Sequence, residues 1–550
     1  MVRRIERLLT NRQTRNQLVL TAISLGLRLA MAGVISQPGY MDAAYYAAGA
    51  VRIGRGSGFS EPFIWNYLNN PSEVIHPGFL YWMPLPALLG APFAALFTGS
   101  FFALQVPFAI LSALVPSVAY GLTAHISESE ELAWTAGLLA VFSGFFFPYW
   151  TLPETFAPFA LFGSLALWLA GRASSELSKQ RVSGLRWLWV GLFVGLAHLT
   201  RADGFLLLPI VALAPLRSKW TIGTRDRTRP SGNRSTMRRA HQVLIRSARP
   251  LLTMIIGYVL VMGPWFARNL AVAGTPLSPA GTKTIWLREY DDLFCYDCDL
   301  SLASYLAWGW NSILHSKLSA LWINFQRLLA ENCMVFLLPF VIVGLHRLRY
   351  HLSFLLASIY LILVYFVHSL IFTFPGWRGG FFHASSAVLP FLYAAGMYGL
   401  DATIRWVARR RRGWRHRQAL AVFAAAAIAA AATLSGYVSW QKLPATRKTH
   451  SLYEEVDGWL NDHHAPRAGV MVGNPPAFWY ATRRPAIVVP NEGVETLVAV
   501  ADRYEMRYVL LERDHPAELT DLHTGAVDHP RLQVMTAWPE RGGVLYVVQD

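Results

Sequence analysis

The chain is poor in the residue types that dominate soluble and secreted proteins. Only 15% of its 550 residues are charged and only 3 are cysteine, whereas 54% are hydrophobic. Three cysteines are too few for a disulfide framework. The sequence also has no phosphate-binding loop, G-x-S-x-G element or dinucleotide fingerprint. Repeated apolar runs of about 20 residues instead indicate helices that cross a bilayer, and therefore a polytopic membrane protein.

The position of the charges argues against nucleic-acid binding, although the net charge is +16. The basic residues cluster in short links between apolar runs, as the positive-inside rule describes.

Arginines crowd residues 1–16. The first apolar run, Leu18–Ile35, lacks a convincing cleavage site and is expected to be a retained anchor. Residues 217–249 hold ten Lys and Arg against one acid, which predicts a partly disordered cytoplasmic loop. We therefore expect a multi-pass inner (plasma) membrane protein with a cytoplasmic N-terminus.

Two regions of different character are predicted. Residues 1–440 contain about eleven spans, and residues 441–550 are charged, with short β-branched runs between helical stretches. The second pattern predicts a small soluble α/β domain, which an odd number of spans places outside the cytoplasm. The predicted fold class is an all-α polytopic membrane protein with a small C-terminal extracytoplasmic α/β domain. One ambiguity is whether the apolar run 187–213 is one span or two short helices that meet at Thr200-Arg201.

The loop between the first two apolar runs, residues 37–82, is longer and more aromatic than a connector requires. Its first part, 40–53, has small and aromatic residues at helical spacing, which predicts a short helix at the membrane surface. Asp42 opens this helix, and Tyr45 lies close beside it in sequence. A carboxylate at this position can cap a helix or take a proton as a general base. The residues alone leave both interpretations open.

Four short elements resemble those of the polytopic GT-C glycosyltransferases. They are Asp42 at the start of the first outer loop, HPGFLYW at 76–82, LPE at 152–154 and GLAHLTRADG at 195–204. Their order and spacing are similar to bacterial relatives of the dolichyl-phosphate-mannose-protein mannosyltransferases (family 39) and of the aminoarabinose transferases. Two positions depart from the family pattern. Ala43 stands where many members have a second acid, and Gly78 replaces a second proline.

The resemblance implies transfer of a sugar from a polyprenyl-phosphate-linked donor to a hydroxyl of a protein, lipid or glycan outside the cytoplasm. It implies an inverting displacement in which Asp42 is the base. Candidate donor- or phosphate-binding residues are His76, Arg201, Arg378 and His383. Candidate supporting residues are Glu154, Asp203 and Tyr45. No metal ligands are predicted, but relatives differ in their metal requirement, so a divalent metal stays open.

Other interpretations of these residues compete with the functional one. His76 could cap the second helix, Glu154 could begin an interfacial helix, and Arg378 could extend towards the interface. Cys295 and Cys298 form a C-x-x-C pair that fits a local disulfide, free thiols or adventitious metal binding. At the level of the whole chain, the alternatives are a transporter or lipid flippase, or a scaffold that has lost activity with the second acid.

Overall fold

The structure is a computed structural model, and it describes residues 11–178, 184–217, 233–411, 413–465 and 467–549. Seven of the described helices are long and apolar enough to cross a membrane, and four shorter ones are also apolar. The α-helices of eight or more residues are Arg12–Val34, Met41–Gly54, Leu85–Leu96, Phe101–Ser127, Glu130–Phe142, Phe156–Ser178, Gly184–Thr200, Leu207–Arg217, Asn233–Ala273, Trp310–Arg327, Leu338–Leu348, Leu352–Phe366, Leu389–Ala408, His416–Asp462, Pro475–Thr482 and Val494–Arg503. The polytopic helical architecture is confirmed, while the count of eleven spans stays a prediction.

Part of the predicted basic cytoplasmic loop, 218–232, and residues 179–183 of the link before Trp187 lie outside the described residues. A helix begins inside the predicted loop, at Asn233, and runs to Ala273, so the prediction of a disordered loop is wrong for residues 233–249. On which side of the membrane these links lie stays a prediction.

Glycines let neighbouring membrane helices approach closely. A Cβ on Gly399 would lie 1.9 Å from the carbonyl oxygen of Phe340, and one on Gly344 would lie 1.9 Å from that of Ala395. Both contacts join the helices Leu338–Leu348 and Leu389–Ala408 through backbone atoms that cannot move aside cheaply. Small residues at such crossings are how membrane helices gain van der Waals contact when no hydrophobic driving force acts between them.

We expect Gly399→Ala to lower the free energy of unfolding by about 1–3 kcal/mol, because the added methyl group must push two packed helices apart. The measurement is the apparent thermal midpoint of the purified protein in detergent. Gly436→Ala is the matched control, since a Cβ at this helical position meets no atom within 4 Å. Equal midpoints for the two variants would contradict the close crossing.

The ambiguity at Thr200-Arg201 is resolved as two helices. Gly184–Thr200 ends at Thr200, Arg201 is extended, and a 3-10 turn over Ala202–Leu206 leads into Leu207–Arg217. The turn folds back on the preceding helix because Gly204 has no side chain: a Cβ there would lie 2.5 Å from the carbonyl group of Ala197. The break in the apolar run therefore holds Arg201 and Asp203 at the end of a helix.

The predicted short helix in the first outer loop is present as Met41–Gly54. It is buried on nearly every side instead of presenting only one face to the protein. Its alanines and glycines allow this: a Cβ on Gly49 would lie 2.7 Å from the ring of Phe79, and one on Gly54 would lie 2.7 Å from the carbonyl oxygen of Ala91. Asp42 is therefore fixed in position by a tightly packed helix.

In the described part of the chain, eight strands form two sheets. The strands are β1 (Ser60–Glu61), β2 (Phe63–Ile64), β3 (His76–Pro77), β4 (Val470–Val472), β5 (Ala486–Val488), β6 (Tyr508–Leu511), β7 (Leu532–Trp538) and β8 (Gly543–Val548). β1 and β3 pair as an antiparallel ladder, and the other six form one sheet in the order β2-β5-β4-β6-β8-β7. The short β-branched runs of the tail form β4, β5, β6 and β8, so the α/β character of the C-terminal region is confirmed.

The first outer loop is part of the C-terminal sheet. β2 pairs in parallel with β5, with Phe63 opposite Ala486 and Ile64 opposite Ile487. A second segment, which contains the C-x-x-C pair, also docks on this region, since Glu492 accepts hydrogen bonds from the backbone N–H groups of Tyr296, at 2.9 Å, and Asp297, at 3.0 Å. The C-terminal region thus ties together two segments that lie far apart in the chain.

The C-x-x-C pair lies in the second of these docked segments. Cys295 and Cys298 are joined by a disulfide bond. Of the three interpretations of the pair, the local disulfide is therefore the one found. It closes the loop whose backbone N–H groups donate to Glu492.

Candidate active site

A cavity of about 1460 Å³ lies between the membrane helices and the C-terminal region. Five residues predicted from the sequence line it, namely Asp42, Arg201, Asp203, Arg378 and His383. They come from three separate parts of the chain, and only the fold brings them together. Aromatic side chains form much of the remaining wall, including Tyr46, Trp65, Tyr81, Trp82, Tyr149 and Tyr290.

His383 stands between two carboxylates. Its Nε2 atom lies 3.9 Å from Asp42 Oδ2, and its Nδ1 atom lies 3.5 Å from Glu154 Oε2. Nδ1 is also 2.8 Å from the hydroxyl oxygen of Thr155, and the imidazole stacks on Phe156 with 3.9 Å between ring centroids. The ring is therefore held in one orientation, with Nε2 directed towards Asp42. The imidazole is therefore the side chain that faces Asp42 from the neighbouring helix.

The two carboxylates have different environments. Asp42 keeps 31% of its side chain exposed, and burial within the cavity wall raises the pKa of this carboxyl to about 6. Glu154 is completely buried behind His383. Burial, and then the negative charge of Asp42, raise the pKa of Glu154 well above its ordinary value. Two interacting acids whose pKa values are both raised are a common arrangement in sites that move protons.

Arg201 belongs to a charged network at the helix break. Its Nε atom donates to Asp203 at 3.0 Å and its Nη2 atom donates to the same carboxylate at 2.9 Å. His368 Nε2 lies 3.1 Å from Asp203 Oδ2. The remaining terminal nitrogen of Arg201 is 3.5 Å from the hydroxyl oxygen of Thr155, so this network touches the residues around His383. Asp203 orients Arg201 and also compensates part of its charge.

Arg378 is the more accessible cation of the cavity wall. It is exposed, and its guanidinium lies 4.9 Å from the ring centroid of Tyr290. Arg327 also lines the cavity, where its Nη1 atom forms an ion pair of 2.5 Å with Glu331. Lys442 contributes a third basic group to the lining. These side chains give one part of the cavity the positive charge that a phosphate group needs.

Asp42, Glu154 and His383 also fit a divalent metal ion. One ligand atom from each lies within 4.8 Å of the other two, and two carboxylates with an imidazole suit Mn²⁺ or Zn²⁺. The buried Glu154 carboxylate makes no well-formed hydrogen bond to a described residue, which is compatible with either a proton or a metal at this point. A bound ion would supply positive charge to this part of the cavity.

His76 and Tyr45 lie in a different cluster and are not among the described residues that line the cavity. His76 Nε2 is 3.6 Å from Glu61 Oε2, and Glu61 Oε1 accepts hydrogen bonds from the Tyr45 hydroxyl and, at 2.6 Å, from the Phe79 N–H. Gly78 is required here, because a Cβ would lie 2.8 Å from the Glu61 side chain. This cluster folds the loop around β1 and β3, and a donor-binding role for His76 stays a prediction.

Several residues of the site were missed by sequence reasoning. Thr155, Arg327 and His368 carry no motif of their own. A signal for His368 exists in the glycines after it, since a Cβ on Gly376 would lie 1.9 Å from its carbonyl oxygen and one on Gly380 would lie 2.9 Å from its Nδ1 atom. Glycines that make room for one buried histidine cannot be told from flexible glycines without the fold.

Known proteins resemble the chain in sequence over one part and in structure over most of it. Residues 76–224 match the family model described as dolichyl-phosphate-mannose-protein mannosyltransferase. No curated protein matches the chain at a significant level. A solved structure of ArnT from Cupriavidus metallidurans bound to undecaprenyl phosphate superposes with a TM-score of 0.53 at 12% identity and covers 96% of this chain and 97% of that one.

A second solved structure has the same fold as this chain. The archaeal oligosaccharyltransferase AglB from Archaeoglobus fulgidus, in complex with an inhibitory peptide and a dolichol-phosphate, superposes with a TM-score of 0.51 at 13% identity. It covers 91% of this chain and 69% of that one. The chain has the GT-C fold. The GT-C resemblance carried by the four short motifs is thereby confirmed at the level of fold.

The matched segment and the cavity overlap only in part. Residues 76–224 contain Glu154, Arg201 and Asp203, whereas Asp42 precedes the segment and His383 follows it. The family model therefore covers Glu154, Arg201 and Asp203, whereas the placement of Asp42 and His383 rests on the structure of this chain alone.

Proposed function

We propose that the chain is a glycosyltransferase that moves a sugar from a polyprenyl-phosphate-linked donor to a hydroxyl group. The observation that carries this proposal is the convergence of Asp42, His383, Arg201 and Arg378 in one cavity at the end of the membrane helices. ArnT and AglB, which share the fold, are described with undecaprenyl phosphate and with dolichol-phosphate. A lipid-phosphate leaving group also agrees with a sequence that has no nucleotide-binding motif.

The reaction requires a base on one side of the sugar and positive charge on the other. Asp42 takes the proton of the acceptor hydroxyl, while the oxygen of that hydroxyl forms a bond to the anomeric carbon. The bond between that carbon and the phosphate oxygen breaks, and its electrons leave with the polyprenyl phosphate. This single displacement inverts the anomeric configuration. His383 lies 3.9 Å from Asp42, and closer approach in the substrate complex would let the protonated acid donate a hydrogen bond to the imidazole.

The positive groups of the cavity stabilise the leaving phosphate. Arg378 is exposed within the lining and is free to form two parallel hydrogen bonds with phosphate oxygens. Arg201 is held by Asp203, so it contributes a fixed donor whose position does not depend on the ligand. In this proposal the lipid chain lies between the membrane helices, the N-terminus is cytoplasmic, and transfer takes place on the extracytoplasmic face of the plasma membrane.

The pH dependence of transfer follows from the raised pKa of Asp42. A base must be unprotonated, so kcat/KM is expected to rise with pH until about 6, the pKa of Asp42, and to level off above it. The measurement is the initial rate of labelled-sugar transfer between pH 4.5 and 8 by purified protein with radiolabelled polyprenyl-phosphate sugar and membrane acceptors. Profiles are recorded with and without EDTA, which separates a free carboxyl from one that binds a metal. A rate that falls as pH rises through 6 would contradict Asp42 as the base.

A further inference from the structure

The outer part of the cavity is built from the ends of three parallel strands. β4, β5 and β6 run in parallel, and the residues at their carboxyl ends include Gly473, Val489 and Glu512. All three line the same cavity as Asp42. The C-terminal region therefore contributes its strand ends, and not a strand edge or a helix face, to the cavity.

These strand ends meet at a change in the direction of chain winding. From β4 the chain passes to β5 on one side and then to β6 on the other, giving the order β5-β4-β6. Loops that leave two adjacent parallel strands in opposite directions open a crevice between the strand ends. In open α/β sheets, ligands bind in this crevice outside the carboxyl ends of the strands. Here the crevice lies between Gly473 and Glu512, after β4 and β6.

The Glu512 carboxylate spans the crevice in a fixed orientation. One oxygen accepts a hydrogen bond of 2.9 Å from the Tyr453 hydroxyl, and the other accepts one of 2.7 Å from the Gly473 N–H. A Cβ on Gly473 would lie 2.7 Å from Glu512 Oε2, so glycine is needed for this approach. Each oxygen keeps capacity for a further donor. Burial raises the pKa of Glu512 to about 7.

The polar groups around Glu512 suit a ligand with several hydroxyls. Asn474, Asn491, Asp291 and Asp514 line this part of the cavity, as does the ring of Tyr290. A carboxylate with flanking amides can accept from two adjacent hydroxyls and donate to a third, while an aromatic ring packs against C–H groups. A carboxylate at a strand end that binds ribose hydroxyls is a known use of such a crevice.

We propose that this crevice binds the acceptor and that the acceptor is a carbohydrate with adjacent free hydroxyls. The inference rests on the proposed transferase function and specifies its substrate class. A peptide acceptor would be expected to add to a free strand edge, but the cavity meets strand ends. A phosphate group is disfavoured directly beside the Glu512 carboxylate, since Glu512 and Asp514 would repel it.

The test uses the full-length protein in lipid nanodiscs and saturation-transfer NMR. The probe is an equal mixture of neutral mannose, galactose and glucose trisaccharides, and a Ser/Thr-containing peptide is the competing ligand. Binding of undecaprenyl phosphate, measured in the same samples, reports the donor half of the site and the integrity of the fold. The variants are Glu512→Gln, Gly473→Ala and Asp514→Asn, and the control is Glu518→Gln, an exposed acid in the same loop.

Wild type and Glu518→Gln are expected to give saturation transfer to at least one trisaccharide. Glu512→Gln and Gly473→Ala are expected to reduce it about tenfold, because each removes or displaces one charged acceptor, and Asp514→Asn is expected to reduce it less. Undecaprenyl phosphate binding should be unchanged in all of them. Three outcomes would overturn the carbohydrate site: saturation transfer to the peptide alone, saturation transfer to none of the trisaccharides, or equal saturation transfer in wild type and all variants. If the wild-type protein did not bind undecaprenyl phosphate, the proposed function itself would be refuted.

Discussion

Asp42→Asn is expected to lower kcat for sugar transfer by about 10²–10⁴-fold, which is the usual contribution of a general base. Asparagine keeps the size of the side chain and its hydrogen-bonding oxygen but cannot take a proton from the acceptor. Asp42 lies on the tightly packed helix Met41–Gly54, so the substituted side chain stays in the same place. The measurement is the initial rate of polyprenyl phosphate release at saturating donor.

Glu73→Gln is the matched control, because Glu73 is an exposed acid in the same outer loop and is not among the described residues that line the cavity. Its kcat should equal that of wild type. Donor binding by Asp42→Asn should also be nearly normal, since the phosphate lies near the arginines in the proposed arrangement. Equal release by Asp42→Asn and wild type would refute the assignment of the base.

Arg201→Gln is expected to lower the free energy of unfolding by about 3–5 kcal/mol, because it leaves the buried Asp203 carboxylate without its main partner. The side chains of Arg201 and Asp203 are only 16% and 10% exposed. The same substitution should weaken donor binding, since a fixed cation of the cavity wall is lost. Unfolding in a reversible detergent titration and binding of undecaprenyl phosphate measure the two effects.

A double-mutant cycle measures the interaction energy of Arg201 and Asp203 apart from their contacts with other residues. Arg201→Gln combined with Asp203→Asn should be less destabilised than the sum of the single variants, by about 1–3 kcal/mol. Arg12→Gln is the control, because the Arg12–Glu130 pair is exposed, with Arg12 74% exposed, and should cost no more than about 1 kcal/mol. Additive single effects at 201 and 203 would show that the ion pair does not hold the helix break together.

Local sequence signals predicted those parts of the site that interrupt apolar runs. A charge in an otherwise apolar segment is costly unless it faces a cavity or a partner. This argument identified Arg201 and Glu154, and the structure places the first on the cavity wall and the second directly behind His383. The helix break at Thr200-Arg201 was one of two alternatives that the sequence left open, and the structure decides between them.

Residues in loops could not be assigned in this way. His76 was grouped with the donor site from a motif, but the ladder between β1 and β3 turns it towards Glu61. The two-residue strand β2 has no periodicity to detect, yet it joins the first outer loop to the C-terminal sheet. The edge strand β7 was also missed, since most of its residues are exposed. Pairing between segments more than 400 residues apart is decided by tertiary contacts that no local pattern records.

The central claim is that the cavity transfers a sugar instead of moving the lipid-linked donor across the bilayer. The most direct measurement uses the purified protein in sealed vesicles, with polyprenyl-phosphate sugar labelled in both the lipid and the sugar, and membrane acceptors outside. Free polyprenyl phosphate and sugar-labelled acceptor are expected to appear in equal amounts, and both should disappear with Asp42→Asn. Movement of the intact donor between leaflets, with neither product formed, would contradict the claim and support a flippase.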